Sequence, residues 1–276
     1  MRTYKTRIFA MLRLVIASSL TLLLAATAGC SGSRADGEGN NIEYSISARE
    51  NYEKGMDSLE NDEWIDAAKY FAFVKARFPY SKFAVLADLR IADAQFGAGA
   101  YLEAVDGYKL FIKFHPTHEM VTNGYASFRI GEAYYKMLPD DWFLTPPSYE
   151  KDQSSTVDAL RELGTFLKTY PSSPFRERAD KMYKVCAKAL ASHEWYVAQF
   201  YWKRDRPMGT VLRLRTLLKR YPDVGYDEEA LWLLGRAYLK VGRPKDAKTT
   251  FQTLVSKYPK HARAGDARGE LAKLKI

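Results

Sequence analysis

The sequence predicts an all-α protein, a solenoid of five stacked helical hairpins, and three observations predict it. Proline follows an aromatic residue or histidine five times, at Phe78-Pro79, His115-Pro116, Tyr170-Pro171, Tyr221-Pro222 and Tyr258-Pro259. Apolar residues before each mark recur at helical spacing, and no stretch alternates for long enough to make a strand. Small residues fall at fixed distances upstream of the marks. Proline lacks an N–H and disfavours helix in the residue before it, so each mark ends a hairpin.

The last unit is the clearest. Leu234, Gly235, Tyr238, Gly242, Ala247, Phe251 and Pro259 fall at the spacings of a tetratricopeptide repeat. Gly235 and Ala247 let two helices approach, Tyr238 and Phe251 fill the space between them, and Gly242 turns the chain. The same frame fits Gly55, Asp62, Ala67, Phe71 and Pro79, then Ala92, Gly99, Ala104, Tyr108 and Pro116, and more loosely Ala198, Tyr201, Asp205, Leu214 and Pro222. The repeats run over about 46–80, 81–117, 121–173, 174–224 and 227–261, within a repeat domain spanning 44–276. Each hairpin buries its apolar stripe only against its neighbours, so stacking stabilises the array.

The third unit is interrupted. Gly131 and Tyr134 begin it and Ala159, Leu163 and Pro171 finish it, but 28 residues separate Gly131 from Ala159 where 12 separate Gly235 from Ala247. The extra residues lie in "MLPDDWFLTPPSYEKDQSS" (137–155), an insertion at the hairpin turn. Ser154, Ser155 and Thr156, with Asp158, suit the start of the next helix. Asp140, Asp141, Glu150 and Asp152 could do acid–base work, although a polar loop with capping acids is the simpler account. Trp142 and Phe143 are a docking spot if exposed, or a brace if folded onto the following helix. That helix, from Pro174 to Arg204, has no internal proline or glycine. It is expected to run unbroken through Ser192-His193, to protrude from the stack and to brace the third unit against the fourth.

The N-terminal segment reads differently. Arg2, Lys5, Arg7 and Arg13 precede an uncharged run, Leu14 to Ala28, of about 15 residues. This is short of the ~20 that cross a bilayer and suits a secretory signal over 1–29 better than a membrane anchor. Thr27-Ala28-Gly29-Cys30 resembles a lipoprotein cleavage box, with Thr27 where leucine is usual. Cleavage between Gly29 and Cys30 would leave Cys30 to carry the lipid. Several acyl chains, at about 0.8 kcal/mol per buried CH₂, make a stable anchor. Residues 30–43, rich in Gly, Ser, Asn and charge, form a flexible tether.

Charge and motifs narrow the function. The 276 residues carry a net +9, of which the first 29 contribute four, so +5 remains beyond them. Such mild positive charge, with an export signal, argues against nucleic acid, and Arg213, Arg215, Lys219 and Arg220 split over helix faces. Neither a Gly-x-Ser-x-Gly elbow nor a phosphate loop is present, and "GAGAYLEA" follows a helix rather than a strand. Four histidines give one close pair, His115 and His118, which with Glu119 is a poor zinc set. Cys186 lies in a helical stretch and reads as a small core residue. No cofactor, metal or catalytic residue is expected, and the chain reads as a binding protein rather than an enzyme. Tyr52, Phe96, Tyr125, Phe128 and Tyr135 fall on first helices of their hairpins. They either line a groove for an extended peptide or pack the core.

Three segments carry a resemblance to a known family. "FHPTHEMVTNGYASFRIGEAYY", "YEKDQSSTVDAL" and "HEWYVAQFYWKR" resemble segments of BamD (YfiO), the lipoprotein family of the outer-membrane β-barrel assembly machinery. The likeness covers nearly all of 44–260. It implies a lipid-anchored scaffold on the periplasmic side of the outer membrane. Its C-terminal repeats would hold the POTRA region of a BamA-like barrel subunit, and its N-terminal repeats would receive unfolded outer-membrane proteins. Other Bam lipoproteins are further partners the resemblance allows. It places the family's partner-facing arginine, nine residues before the Tyr-Pro proline, at Arg213. A repeat adaptor of the YbgF/CpoB type, of the Tol-Pal system, is the alternative, although such proteins begin with a coiled coil that this chain lacks.

Overall fold

The computed structural model describes residues 42–274, so the signal segment, Gly29, Cys30 and the tether as far as Asn41 lie outside the described residues. Among the described residues the chain forms twelve α-helices and one 3₁₀ turn, with no strand. The helices are α1 (Ala48–Glu60), α2 (Trp64–Arg77), α3 (Lys82–Gly97), α4 (Tyr101–Phe114), α5 (Glu119–Thr122), α6 (Tyr125–Lys136), α7 (Ser154–Thr169), α8 (Arg176–Lys203), α9 (Pro207–Arg220), α10 (Asp227–Lys240), α11 (Pro244–Lys257) and α12 (Ala262–Lys273). The 3₁₀ turn, Ser148–Glu150, lies between α6 and α7. This is the all-α tetratricopeptide fold the repeat pattern predicts.

Local chemistry repeats with the hairpins. The turns joining α1–α2, α3–α4, α8–α9 and α10–α11 each place one residue in the left-handed region, Asp62 (φ 61°), Gly99 (79°), Asp205 (53°) and Gly242 (72°). Glycine meets no steric cost there, and aspartate is among the few side chains that tolerate it. The aromatic-proline marks do more than stop a helix. At four of the five, two residues past proline, a side chain caps the start of the next helical turn. Ser81 Oγ accepts from Phe83 N–H at 3.2 Å, His118 Nδ1 from Met120 N–H at 3.1 Å, Ser173 Oγ from Phe175 N–H at 3.4 Å and His261 Nδ1 from Arg263 N–H at 3.3 Å. The same turn precedes each, with the N–H of Ser81, His118, Ser173 and His261 donating to the carbonyl three residues back. His118 therefore serves as a helix cap, and no group of three His, Cys, Asp or Glu is placed to hold a metal ion among the described residues.

Helices pack in chain order. In addition α1 touches α3, α6 touches α8 and α10 touches α12, while the second helices α2, α4, α7, α9 and α11 make no comparable contact with one another. First helices thus line one side of the array, its inner wall, where side chains such as Tyr125 with Asp93 and Arg236 with Trp202 link helices whose backbones stand farther apart. Second helices lie on the outer side with grooves between them. Ala67, Phe71, Ala104, Tyr108, Ala159, Leu163, Leu214, Ala247 and Phe251, all frame positions of the repeat, are fully buried between helices. Burying each large side chain stabilises by about 1.5–3 kcal/mol.

Helix α8 runs 28 residues without a break at Ser192-His193. It does not protrude as the sequence suggested. Its first half supplies Ala179 and Cys186 to the core of the second and third hairpins, and its second half supplies Leu190, Ala191 and Ala198 to the core of the fourth and fifth. Those apolar positions recur along its whole length, so both halves are held.

The insertion divides into two parts. Its second part is a brace: His193 Nδ1 on α8 donates to the Tyr149 carbonyl at 2.7 Å, and the Tyr149 ring lies 5.1 Å from that of Tyr196. Its tip is open, with Trp142 54% and Phe143 84% exposed. Gln153, not Ser154 or Thr156, is the residue at the N-cap of α7, but its side chain makes no cap bond; the Ser154 N–H donates to Asp152 Oδ1 at 3.3 Å. The Gln153 Nε2 donates to the Ser148 carbonyl at 2.7 Å, and its Oε1 accepts from Thr156 Oγ1 at 3.2 Å. Thr156 is fully buried, which points its hydroxyl inward rather than over the helix end.

Candidate functional site

The inner wall holds the functional side chains, and its front and back halves are built differently. In the front half, helical spacing puts Arg90, Asp93 and Phe96 on one face of α3, and Tyr125, Arg129 and Glu132 on one face of α6. The faces meet at Asp93, only 4% exposed. Asp93 Oδ1 accepts from Tyr108 Oη at 2.6 Å and Tyr125 Oη at 2.7 Å, and Oδ2 accepts from Arg90 Nη1 at 2.7 Å. Arg129 Nε donates to Tyr108 Oη at 3.1 Å and its Nη1 to Glu132 Oε2 at 2.8 Å. Arg178 of α8 pairs with the other oxygen of Glu132. The Arg129 guanidinium also covers the Phe96 ring at 3.6 Å. Burial, reinforced by the Asp93 charge, pushes the Tyr108 and Tyr125 phenols up, so both stay protonated and donate. No buried side-chain nitrogen or oxygen lacks a partner among the described residues.

The aromatic residues singled out in the sequence fall into this wall unequally. Tyr52 is half-buried against Phe71 and Phe83, with ring centroids at 5.4 Å from each. Phe96, Tyr125 and Tyr135 are half-buried too. Phe128 is not a groove residue: it is 1% exposed and stacks on Phe175 at 5.1 Å, inside the core. Its position, three residues beyond Tyr125, turns it from the open face into the contact with α8.

In the back half cations lie on indole rings. Arg236 of α10 stands 5.2 Å from the Trp202 ring and 5.8 Å from that of Trp232. Lys240 lies 4.7 Å from Trp202 and pairs with Asp205 at 2.6 Å. Arg263 of α12 lies 5.8 Å from Trp232 and pairs with Glu229 at 3.0 Å. Arg213, on α9, has its Nη1 3.3 Å from Glu194 Oε2 of α8, and its side chain is 42% exposed.

The carboxylates of the insertion are structural acceptors. Asp141 accepts from Ser148 N–H at 2.6 Å, which holds its carboxyl below the usual range, and Asp152, bonded to the Ser154 hydroxyl, is lowered too. A general acid needs the opposite shift.

Reading residue by residue missed the Asp93–Glu132 network, yet a signal for it exists. "RIAD" at 90–93 and "RIGE" at 129–132 are the same four-residue pattern, arginine, isoleucine, small residue, acid, in the same repeat frame. Each supplies one arginine and one buried acid.

Stacked helical hairpins with their first helices along one side define the class, a tetratricopeptide-repeat protein. The chain belongs to the YfiO family of outer membrane lipoproteins, whose family model matches residues 45–250. It is 25% identical over 208 residues to the outer membrane protein assembly factor BamD of Caulobacter vibrioides, covering 75% of this chain and 65% of that one. To the factor of the same name from Neisseria meningitidis serogroup A it is 25% identical over 256 residues, covering 91% of this chain and 92% of the other. Among solved structures it is similar to the TPR2AB-domain:pHSP90 complex of yeast Sti1, at 15% identity and a TM-score of 0.39, over 83% of each chain.

Proposed function

We propose that this chain is the outer-membrane lipoprotein component of a β-barrel assembly complex, a scaffold rather than an enzyme. Cys30 carries the lipid, residues 30–43 form the tether, and the repeat array faces the periplasm. Hairpins four and five hold the POTRA region of a BamA-like barrel subunit through a surface that includes Arg213. The front wall, with Tyr52, Phe96, Tyr125 and Tyr135, receives segments of unfolded outer-membrane proteins. The single observation that carries this reading is family membership over 45–250, together with relatives that are themselves outer membrane protein assembly factors. Exposure of the Arg213 side chain, despite its pair with Glu194, supports a contact there.

The test is a crosslinked pull-down from outer membranes. The wild-type chain is expected to bring down a barrel subunit, Cys30→Ser to leave the membrane fraction, and Arg213→Glu to weaken capture while the chain stays folded. Recovery of Tol-Pal proteins in place of a barrel subunit would overturn the assignment.

A further inference from the structure

The outer grooves between hairpins carry opposite charge at the two ends of the array. The front groove, about 400 Å³ over α3, is lined by Asp88, Glu103 and Asp106 with a single lysine, Lys75, that pairs with Asp88 at 2.6 Å. The back groove, about 660 Å³ along α9, is lined by Leu212, Arg215, Lys219, Arg220 and Leu234 and by no acid. Arg213 is answered by Glu194, but Arg215, Lys219 and Arg220 are exposed and have no carboxylate partner among the described residues. The favourable field at a helix C-terminus accounts for Lys219 and Arg220, which fall in the last turn of α9. It does not account for Arg215, mid-helix and four residues from Lys219, where like charges repel. Nor does it account for Leu212, 57% exposed, and Met208, 49% exposed, on the same stripe. Met208, Leu212, Arg215 and Lys219 follow one helical face, apolar at one end and cationic at the other.

We propose that this groove docks an acidic protein segment that seats an apolar side chain against Leu212 and Leu234 and sets its carboxylates on Arg215, Lys219 and Arg220. The groove deepens the reading of hairpins four and five as the holder of a partner subunit, and rests on it. Complementary charge steers such a partner and fixes its register. Three cations on a concave, leucine-floored face suit a protein segment better than a flat lipid surface.

The experiment places a photo-crosslinking amino acid at Thr216, inside the groove, and a second at Leu110, in the acidic front groove, in the full lipoprotein in outer membranes. Crosslinked peptides are mapped by mass spectrometry. From Thr216 the expected product is a protein segment of net negative charge, and from Leu110 no such product. Changing Arg215, Lys219 and Arg220 together to Glu is expected to lower capture of that same protein by about tenfold or more, with Gln at the three positions intermediate. The proposal is overturned if the Thr216 product is absent, is lipid, is a second copy of this chain, or is neutral or basic, or if the Glu variant captures it as well as wild type. If the Thr216 product is acidic but is not a barrel subunit, the groove stands and the assembly reading falls. If a barrel subunit is captured equally by wild type and the Glu variant, the assembly reading stands and the groove falls.

Discussion

Arg129 in the front half of the inner wall lies between buried carboxylates and a phenylalanine ring, whereas Arg236 in the back half lies exposed between two indoles and meets no carboxylate among the described residues. The same residue type on equivalent first helices therefore does two jobs. In front, arginine is an internal strut. Asp93 and Glu132 hold it in a network that spans α3, α4, α6 and α8, and its charge is already answered. At the back, arginine remains available to another molecule. A buried ionic network is a weak source of net stability but breaks expensively, because removing one partner strands the others. An exposed cation on a ring contributes little and constrains little. The front wall is thus built to keep one shape, and the back wall to present charge.

The largest test removes the shared acid. Asp93→Ala strands Arg90, Tyr108 and Tyr125 and should cost about 3–5 kcal/mol in urea unfolding. Glu229→Ala, which removes the acid of the half-exposed Arg263 pair at the back, should cost under about 1 kcal/mol. Cys186 gives a local readout. Burial pushes its thiol up from 9 to about 12, so at pH 8 the folded chain resists alkylation and reacts only when the front core opens. In a Cys30→Ser background, Asp93→Ala should speed that alkylation about a hundredfold or more, at tenfold per ~1.4 kcal/mol, and Glu229→Ala less than about fivefold. Equal effects from the two substitutions would erase the distinction between the halves.

Next comes packing at one frame position in both halves. A methyl group at Gly235 would collide with the Phe251 ring, which is fully buried and flanked by Trp232 at 5.5 Å. At Gly55 the same addition meets Phe71 at 2.8 Å. Gly235→Ala should cost about 1–3 kcal/mol after the gain in helix propensity is counted, and Gly55→Ala less. Phe251→Leu in the Gly235→Ala background should recover part of the loss, because it retracts the ring edge. A thermal melt in which Gly55→Ala proves the worse of the two would place the tighter hairpin contact in front.

How far the sequence revealed all this depends on the kind of interaction. Hairpins were legible because each frame residue answers to local sterics: Gly242 and Asp205 turn the chain, Ala247 and Ala159 admit a neighbouring helix, and proline ends a hairpin. The family segments around His115–Pro116 and Glu194 carried the resemblance. The insertion was legible as an interruption, but not its division into brace and open tip, since the contact of His193 with Tyr149 joins residues 44 apart in the chain. For the same reason the Asp93 network was invisible one residue at a time: Tyr108, Tyr125 and Asp93 lie on three helices. Of its two readings, groove or core, Phe128 takes the core: it is buried and stacks on Phe175, a contact 47 residues away in the chain that its own neighbourhood does not reveal. His118, a poor metal ligand in the sequence and there better read as a turn or cap residue, stands two residues past its proline as Ser81 and Ser173 do, and it caps.

That cap equivalence yields the third prediction. His261→Ala at the back should cost about 1 kcal/mol by freeing the Arg263 N–H, and His261→Ser should restore it, since serine does the same work at residues 81 and 173. His118→Ala in front should cost as much by freeing the Met120 N–H. Here the halves should agree, because capping is local and indifferent to the wall behind it. A serine that fails to rescue either position would mean the imidazole acts through its ring contacts, such as that of His118 with Phe111 at 5.2 Å, rather than through the cap.

The smallest effect belongs to the residue that began the comparison. Arg236→Ala removes a cation that covers two indole faces but neutralises no acid, so its loss should cost about 0.5–1 kcal/mol. Water then reaches the faces of Trp202 and Trp232, and tryptophan emission should move to longer wavelength without loss of helix content. Arg129→Ala should behave otherwise, with a loss of several kcal/mol, because Glu132 and Asp93 lose a buried counter-charge and Phe96 loses its cover. If Arg236→Ala unfolds the chain as readily as Arg129→Ala, the back wall is a strut too, and its cations are not free to meet a partner. If the emission shift comes with stability nearly intact, Arg236 is held in place by rings alone, which leaves its charge to be answered from outside the chain.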